Sequence, residues 1–103
     1  MVLPPALEII GYRAFMDNPL ASVVIPASVT EFVLNASTGQ GDHFNNTPLA
    51  RIYTDAGNAS TLAAMLDDVV MGDITASTTS IVVDGTVIYT RNSNAATPVW
   101  TAA

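Results

Sequence analysis

A short apolar pattern that occurs twice in the first third of the chain is the feature that most constrains its fold. The order apolar, proline, any residue, small, apolar, polar occurs at residues 3–8, LPPALE, and again at residues 25–30, IPASVT. Internal repeats of about 20–50 residues are typical of chains whose successive units stack on one another. One such unit cannot bury its apolar edge alone, so the repeat predicts stacked coils.

The residues before the second copy predict a short β-strand. Ser22–Ile25 alternates in the way expected of a strand, with Val23 and Ile25 on one face and Val24 on the other. Pro26 ends the strand because it has no backbone N–H to donate to a neighbour. A looser echo of the repeat follows at residues 49–62. In it, Leu49, Ile52 and Tyr53 correspond to Leu20, Val23 and Val24.

The remaining segments predict one loop, one helix and one hairpin. Residues 35–48 are nearly all turn formers, which indicates a loop insertion. Residues 59–68 are rich in Ala, Leu and Met and predict a short helix, with either Asn58 or Ser60 as its capping residue. Residues 80–90, SIVVDGTVIYT, place Asp-Gly between β-branched runs, which favours a hairpin with a type I′ turn.

The repeat resembles the BspA-type leucine-rich repeats of bacterial and protist surface proteins, whose pattern runs L-x-S-V-x-I-P-x-S-V-T-x-I-G-x-x-A-F. The resemblance covers about residues 2–32, with the weaker echo at 49–62. The matching positions are Leu3, Pro4, Leu7, Ile10, Gly11, Ala14, Phe15, Leu20, Ser22, Val23, Ile25, Pro26, Ser28, Val29 and Thr30. It implies a mainly β fold with one short helix, a short leucine-rich-repeat solenoid capped by a C-terminal β-hairpin.

Two parts of one compact domain follow from this interpretation. Residues 1–68 are predicted to form the solenoid with its loop insertion at 35–48. Residues 69–103 are predicted to form a hairpin cap and a tail, with Trp100 packing back onto the body. The chain begins partway through a repeat, which predicts either the terminal piece of a longer array or an open edge covered by self-association.

Charge and composition exclude several classes of function. The net charge is −6 and charged residues make up 12% of the chain, with no lysine and three scattered arginines. Nucleic-acid binding needs clustered positive charge, so it is not predicted. No apolar run approaches the ~20 residues of a membrane span. Without cysteine, disulfides and thiolate metal sites are excluded.

No catalytic, cofactor or metal site is predicted. His43 is the single histidine and is interpreted as an exposed loop residue, since it has no second histidine or cysteine to complete a ligand set. Asp67, Asp68 and Asp73 lack the spacing of a calcium loop and are interpreted as solvated carboxylates. Since no catalytic motif is found either, the chain is predicted not to be an enzyme.

The resemblance implies a non-catalytic protein-interaction module, part of a surface or adhesin-like repeat protein. Its place would be the cell surface or outside the cell if a leader lies outside this chain. The candidate interaction residues are Tyr12, Arg13, Arg51 and Tyr53, because tyrosine and arginine are enriched at interfaces. The alternative is a self-associating structural protein, such as a virion or surface-layer component, in which repeat edges pair chain to chain as a homo-oligomer.

Overall fold

A computed structural model of the chain describes residues 3–11, 14–33, 37, 43–44, 47–66, 78–92, 94–95 and 99–103. Over these residues the protein is mainly β with one short helix, which confirms the predicted class. The strands are β1 (Ile9–Ile10), β2 (Ser22–Val24), β3 (Glu31–Phe32), β4 (Arg51–Tyr53), β5 (Thr78–Val83), β6 (Thr86–Asn92) and β7 (Thr101–Ala102). A 3-10 turn at Ala56–Asn58 leads directly into the helix α1, Ala59–Met65.

The strands form one five-stranded sheet and one two-stranded sheet. The larger sheet has the order β2-β4-β5-β6-β7, in which β2, β4 and β5 are parallel, β6 is antiparallel to β5 and β7 is antiparallel to β6. Ser22 lies opposite Arg51, and Arg51 lies opposite Ser80, so the two parallel steps are equal in length. The smaller sheet pairs β1 with β3 in parallel.

Both sequence repeats correspond to strand registers. In the smaller sheet Ile9 lies opposite Glu31, which is the same offset as that between the two copies of the repeated pattern. In the larger sheet Val23 lies opposite Ile52, which is the correspondence predicted from the echo at residues 49–62. The predicted alternation is also confirmed, because Val23 and Ile25 are buried whereas Val24 is only half-buried. Equal apolar spacing therefore places equivalent side chains side by side across the sheet.

One continuous apolar core joins both sheets and the helix. Ile52 on the middle parallel strand is fully buried, as are its cross-strand neighbours Val23 and Ile81. Leu62 and Leu66 bring the apolar side of α1 into the same cluster. Because half of all residues are hydrophobic, the chain fills this core despite its modest length.

Serine and threonine hydroxyls join neighbouring passes of the chain. Ser28 Oγ donates to the Leu7 carbonyl oxygen at 2.7 Å, and Thr54 Oγ1 donates to the Ile25 carbonyl oxygen at 2.9 Å. Thr79 Oγ1, which is fully buried, donates to the carbonyl oxygen of Leu49 at 3.2 Å. Each bond spans 21 to 30 residues of sequence, so these hydroxyls tie one pass to the preceding one.

Replacing Thr79 with valine removes one of these bonds while keeping the shape of the side chain. We expect the free energy of unfolding to fall by about 1 kcal/mol, because the buried Leu49 carbonyl loses a donor. Thr78→Val at the exposed neighbouring position is the matched control and should change stability by less than about 0.5 kcal/mol. Urea unfolding measures both. Equal losses for the two variants would contradict a role for the buried hydroxyl.

The predicted hairpin is confirmed as β5 and β6. Asp84 has φ 49° and Gly85 has φ 77°, the two positive values that a type I′ turn requires. An aspartate tolerates this left-handed conformation better than most residues, and glycine adopts it freely. The segment predicted as a tail contains β7, which adds an antiparallel strand beside β6.

The helix is shorter than predicted. It ends at Met65 rather than at residue 68, because Leu66 leaves the helical region with ψ 59°. The Leu66 carbonyl accepts a hydrogen bond from the Trp100 indole N–H, which confirms that Trp100 packs back onto the body. Asn58 precedes α1 as predicted, but its side chain makes no capping bond. Its Nδ2 instead donates to Thr54 Oγ1 at 3.0 Å.

Candidate functional site

An open groove of about 380 Å³ lies where the parallel strands β2 and β4 end. Its walls are residues 24–26, at the end of β2, and residues 53–55, at the end of β4, together with Leu3 and Pro5. Parallel strands finish at the same border of a sheet, so the segments that follow them run side by side. We call this feature the carboxyl-end groove.

Hydrogen bonds between its walls hold the groove in shape. Ile25 N–H donates to the Tyr53 carbonyl oxygen at 2.9 Å, and Thr54 N–H donates to the Val82 carbonyl oxygen at 3.1 Å. The Thr54 hydroxyl donates to Ile25, as described above, and in turn accepts from Asn58. Leu3 N–H donates to the Val24 carbonyl oxygen at 3.4 Å. These bonds attach the residues that line the groove to the large sheet.

The lining of the groove is largely apolar, with few polar groups able to meet a ligand. Pro5 and Pro26 contribute ring carbons and no backbone N–H. The Thr54 hydroxyl is already engaged on both sides. The polar side chains left for a ligand are the half-buried Tyr53 and the exposed Asp55. The site can therefore take an apolar group with a polar end.

Two of the four predicted interaction residues lie in the described part of the chain. Tyr53 lines the carboxyl-end groove. Arg51 is exposed on the same strand, β4, but is not part of the groove wall. Tyr12 and Arg13 lie outside the residues that the structure describes. The structure thus places one of the four at a concave surface.

Pro26 and Asp55 belong to the groove but were not among the predicted residues. A signal for them exists in the sequence, because the echo that pairs Val23 with Ile52 also pairs Pro26 with Asp55. Both residues lie just beyond the carboxyl ends of parallel strands, where binding sites of open parallel sheets concentrate. Leu3 and Pro5 join them only through the tertiary fold.

The prediction that His43 is an exposed loop residue is wrong. His43 and Phe44 both have no exposed surface. The His43 ring meets the Phe32 ring edge to face, with centroids 5.2 Å apart, and its carbonyl oxygen accepts from Phe15 N–H at 3.0 Å. The surrounding turn formers led to a prediction of solvent exposure, whereas Phe44 packs in the core and His43 beside it is buried as well. The imidazole is therefore enclosed within the core.

The described residues contain neither a candidate metal site nor a candidate membrane span. Nowhere in that part of the chain do three His, Asp, Glu or Cys residues converge in a way that could hold a metal ion. No helix found there has the length and apolar character to cross a bilayer. Comparison of the chain with protein-family models, with curated proteins and with solved structures finds no match.

Proposed function

We propose that this chain is a non-catalytic protein-interaction module that holds an extended segment of a partner protein in its carboxyl-end groove. The observation that carries the proposal is the groove itself, a concave apolar surface formed by hydrogen-bonded segments at the end of a sheet. We further propose that the underlying architecture is a short leucine-rich-repeat solenoid capped by the hairpin of β5 and β6.

The strand registers support the repeat architecture. The two parallel steps of the large sheet are equal in length, and the step in the small sheet matches the offset between the two copies of the repeated pattern. Repeat proteins stack equivalent units so that each contacts its neighbours. Hydroxyl bonds from Ser28, Thr54 and Thr79 to the preceding pass of the chain agree with such stacking.

The composition of the groove supports peptide binding. A volume of about 380 Å³ accommodates one or two side chains of a ligand. Tyr53 offers a large contact area at a small entropic cost, since its side chain has only two rotatable angles. The backbone bonds that join residues 24–26 to residues 53–55 organise the surface before a ligand arrives, which limits the cost of binding.

Selection from a display library of random peptides tests this function and reveals the sequence that the groove prefers. We expect the wild-type protein to enrich a short common motif. Tyr53→Ala should weaken binding of the selected peptides by about tenfold or more, as loss of a central tyrosine does in other interfaces. Tyr89→Ala, a half-buried tyrosine on β6 away from the groove, is the matched control and should bind as wild type.

Circular dichroism melting of both variants checks that each is folded at the assay temperature. Failure to enrich any motif would contradict the proposed function. Equal binding by the wild type and a folded Tyr53→Ala variant would contradict the groove as its location.

Self-association is the second candidate function, and the ends of the sheet favour it. β7 lies at one end of the five-strand order and is exposed at both of its residues, Thr101 and Ala102. The outer edge of a terminal strand carries backbone N–H and C=O groups that can pair with a second chain. Light scattering coupled to size-exclusion chromatography decides the matter. A constant monomer mass over a hundredfold concentration range would exclude this candidate.

A further inference from the structure

The exposed charges of the described residues are almost all negative. Five carboxylates are exposed, and the only exposed cation in that part of the chain is Arg51. The exposed carboxylates are Glu8, Asp17, Glu31, Asp55 and Asp84. Arg51 does not line the carboxyl-end groove, so the one charge at the groove wall is that of Asp55. Charge complementarity therefore favours a positive group on the ligand.

The neutral polar groups of the groove point to the same kind of ligand. The two prolines bring no N–H donors, and the N–H groups of Ile25 and Thr54 are already bonded within the sheet. Among the side chains of the lining, what remains is the carboxylate of Asp55, which only accepts hydrogen bonds, and Tyr53, whose hydroxyl both donates and accepts and whose ring face attracts cations. A ligand that mainly donates hydrogen bonds fits this lining, whereas an anionic ligand does not.

The apolar walls add a second requirement. Leu3, Val24 and Pro26 offer hydrocarbon surface beside the carboxylate. Lysine and arginine side chains combine an aliphatic stem that packs on such surface with a charged end that stays near water. We propose that the carboxyl-end groove receives a lysine or arginine side chain of the partner segment, with the stem against the apolar wall and the cation at Asp55 and Tyr53. This inference rests on the proposed function and adds to it the chemistry of the partner.

Titration with short peptides followed by ¹⁵N-¹H NMR tests the inference directly. The probes are acetyl-Gly-Leu-Lys-Leu-Gly-amide, its arginine analogue, and a norleucine analogue that keeps the stem but lacks the charge. We expect the lysine and arginine peptides to shift the backbone amide signals of Tyr53, Thr54 and Asp55. The norleucine peptide should bind about fivefold more weakly, the range expected for one exposed cation contact.

Asp55→Asn removes the negative charge from the groove, as the norleucine analogue removes the positive charge from the peptide. The Asp55 side chain makes no capping bond to the 3-10 turn that it precedes, so this substitution keeps the local backbone. We expect it to weaken the lysine peptide about fivefold and to leave the norleucine peptide unchanged. Glu31→Gln removes one exposed negative charge away from the groove, and it should leave both affinities unchanged. This control separates a local contact from the general attraction of an acidic protein.

Carbodiimide coupling gives an independent measurement. The reagent activates carboxylates, and since the chain contains no lysine, the bound lysine peptide supplies the side-chain amine for an amide bond. We expect peptide mapping to find the lysine peptide joined preferentially to Asp55. Coupling spread evenly over the exposed carboxylates would overturn the inference.

The outcomes of these experiments distinguish the two proposals. Equal affinity for the lysine and norleucine peptides, together with selected display motifs that lack basic residues, would overturn the cationic contact and leave peptide binding intact. No shift of the groove signals with any peptide at millimolar concentration, and no enriched motif, would overturn both.

Discussion

Replacing Ile52 with alanine lowers the free energy of unfolding by about 3 kcal/mol, the usual cost of removing a buried isoleucine from a packed core. Ile52 lies on β4, the middle of the three parallel strands, and is fully buried between Val23 and Ile81. Truncation leaves a cavity that neighbouring strands cannot fill without moving away from their own partners. Urea or thermal unfolding of the purified variant measures the loss.

Ile9→Ala is the matched control for this prediction. It makes the same chemical change on a strand, but Ile9 is 53% exposed. The loss should stay below about 1 kcal/mol, because exposed positions contribute little burial. If the two alanine variants were equally destabilised, the placement of β4 at the centre of the core would be wrong.

Replacing Phe44 with alanine has a comparable expected effect, a loss of about 3–4 kcal/mol. Phe44 is fully buried and stacks on Phe15, with ring centroids 5.5 Å apart and planes within 6° of parallel. The residue lies in a stretch of turn formers, so a large effect would show that this segment is anchored in the core. Phe44→Leu keeps most of the volume and should cost about 1 kcal/mol.

A double-mutant cycle isolates the ring contact itself. Phe15→Ala, Phe44→Ala and the double variant should give a coupling energy of about 1 kcal/mol, the range measured for aromatic pairs. Strict additivity would mean that the two rings are not in contact, and a loss below about 1 kcal/mol for Phe44→Ala would mean that the side chain is not buried.

Local patterns were sufficient to predict β2, its correspondence with β4 and the hairpin, but not the pairing of β5 with β4 or the strand β7. Alternation of apolar residues depends on the two-residue period of a strand, so Val23 and Ile25 could be assigned to the buried face from sequence alone. The Asp84-Gly85 turn requires two positive φ angles that few residue pairs adopt, and this pair is among them. The sequence offset between Leu20 and Leu49 equals the offset between paired residues of β2 and β4.

Features that depend on distant partners were not predicted. The helix ends at Met65, and the carbonyl of the next residue, Leu66, accepts a hydrogen bond from Trp100, which lies far along the sequence. His43 and Phe44 are buried through contacts with Phe32 and Phe15, although their immediate neighbours are turn formers. Of the carboxyl-end groove only Tyr53 was predicted, since the groove exists only where three separate segments meet.

The equal spacing of the parallel strands has a consequence for how such a protein can change in length. The step from β2 to β4 equals the step from β4 to β5, and β5 ends the series by turning back into β6. A tandem duplication of one whole step, such as residues 22–50, would thus add a second copy of both β2 and β3, keep the later strands in their original register and leave the hairpin untouched. An insertion of another length would have to be absorbed between strands. One whole step is therefore the length of insertion that preserves the strand registers, and the hairpin ends the parallel part of the sheet.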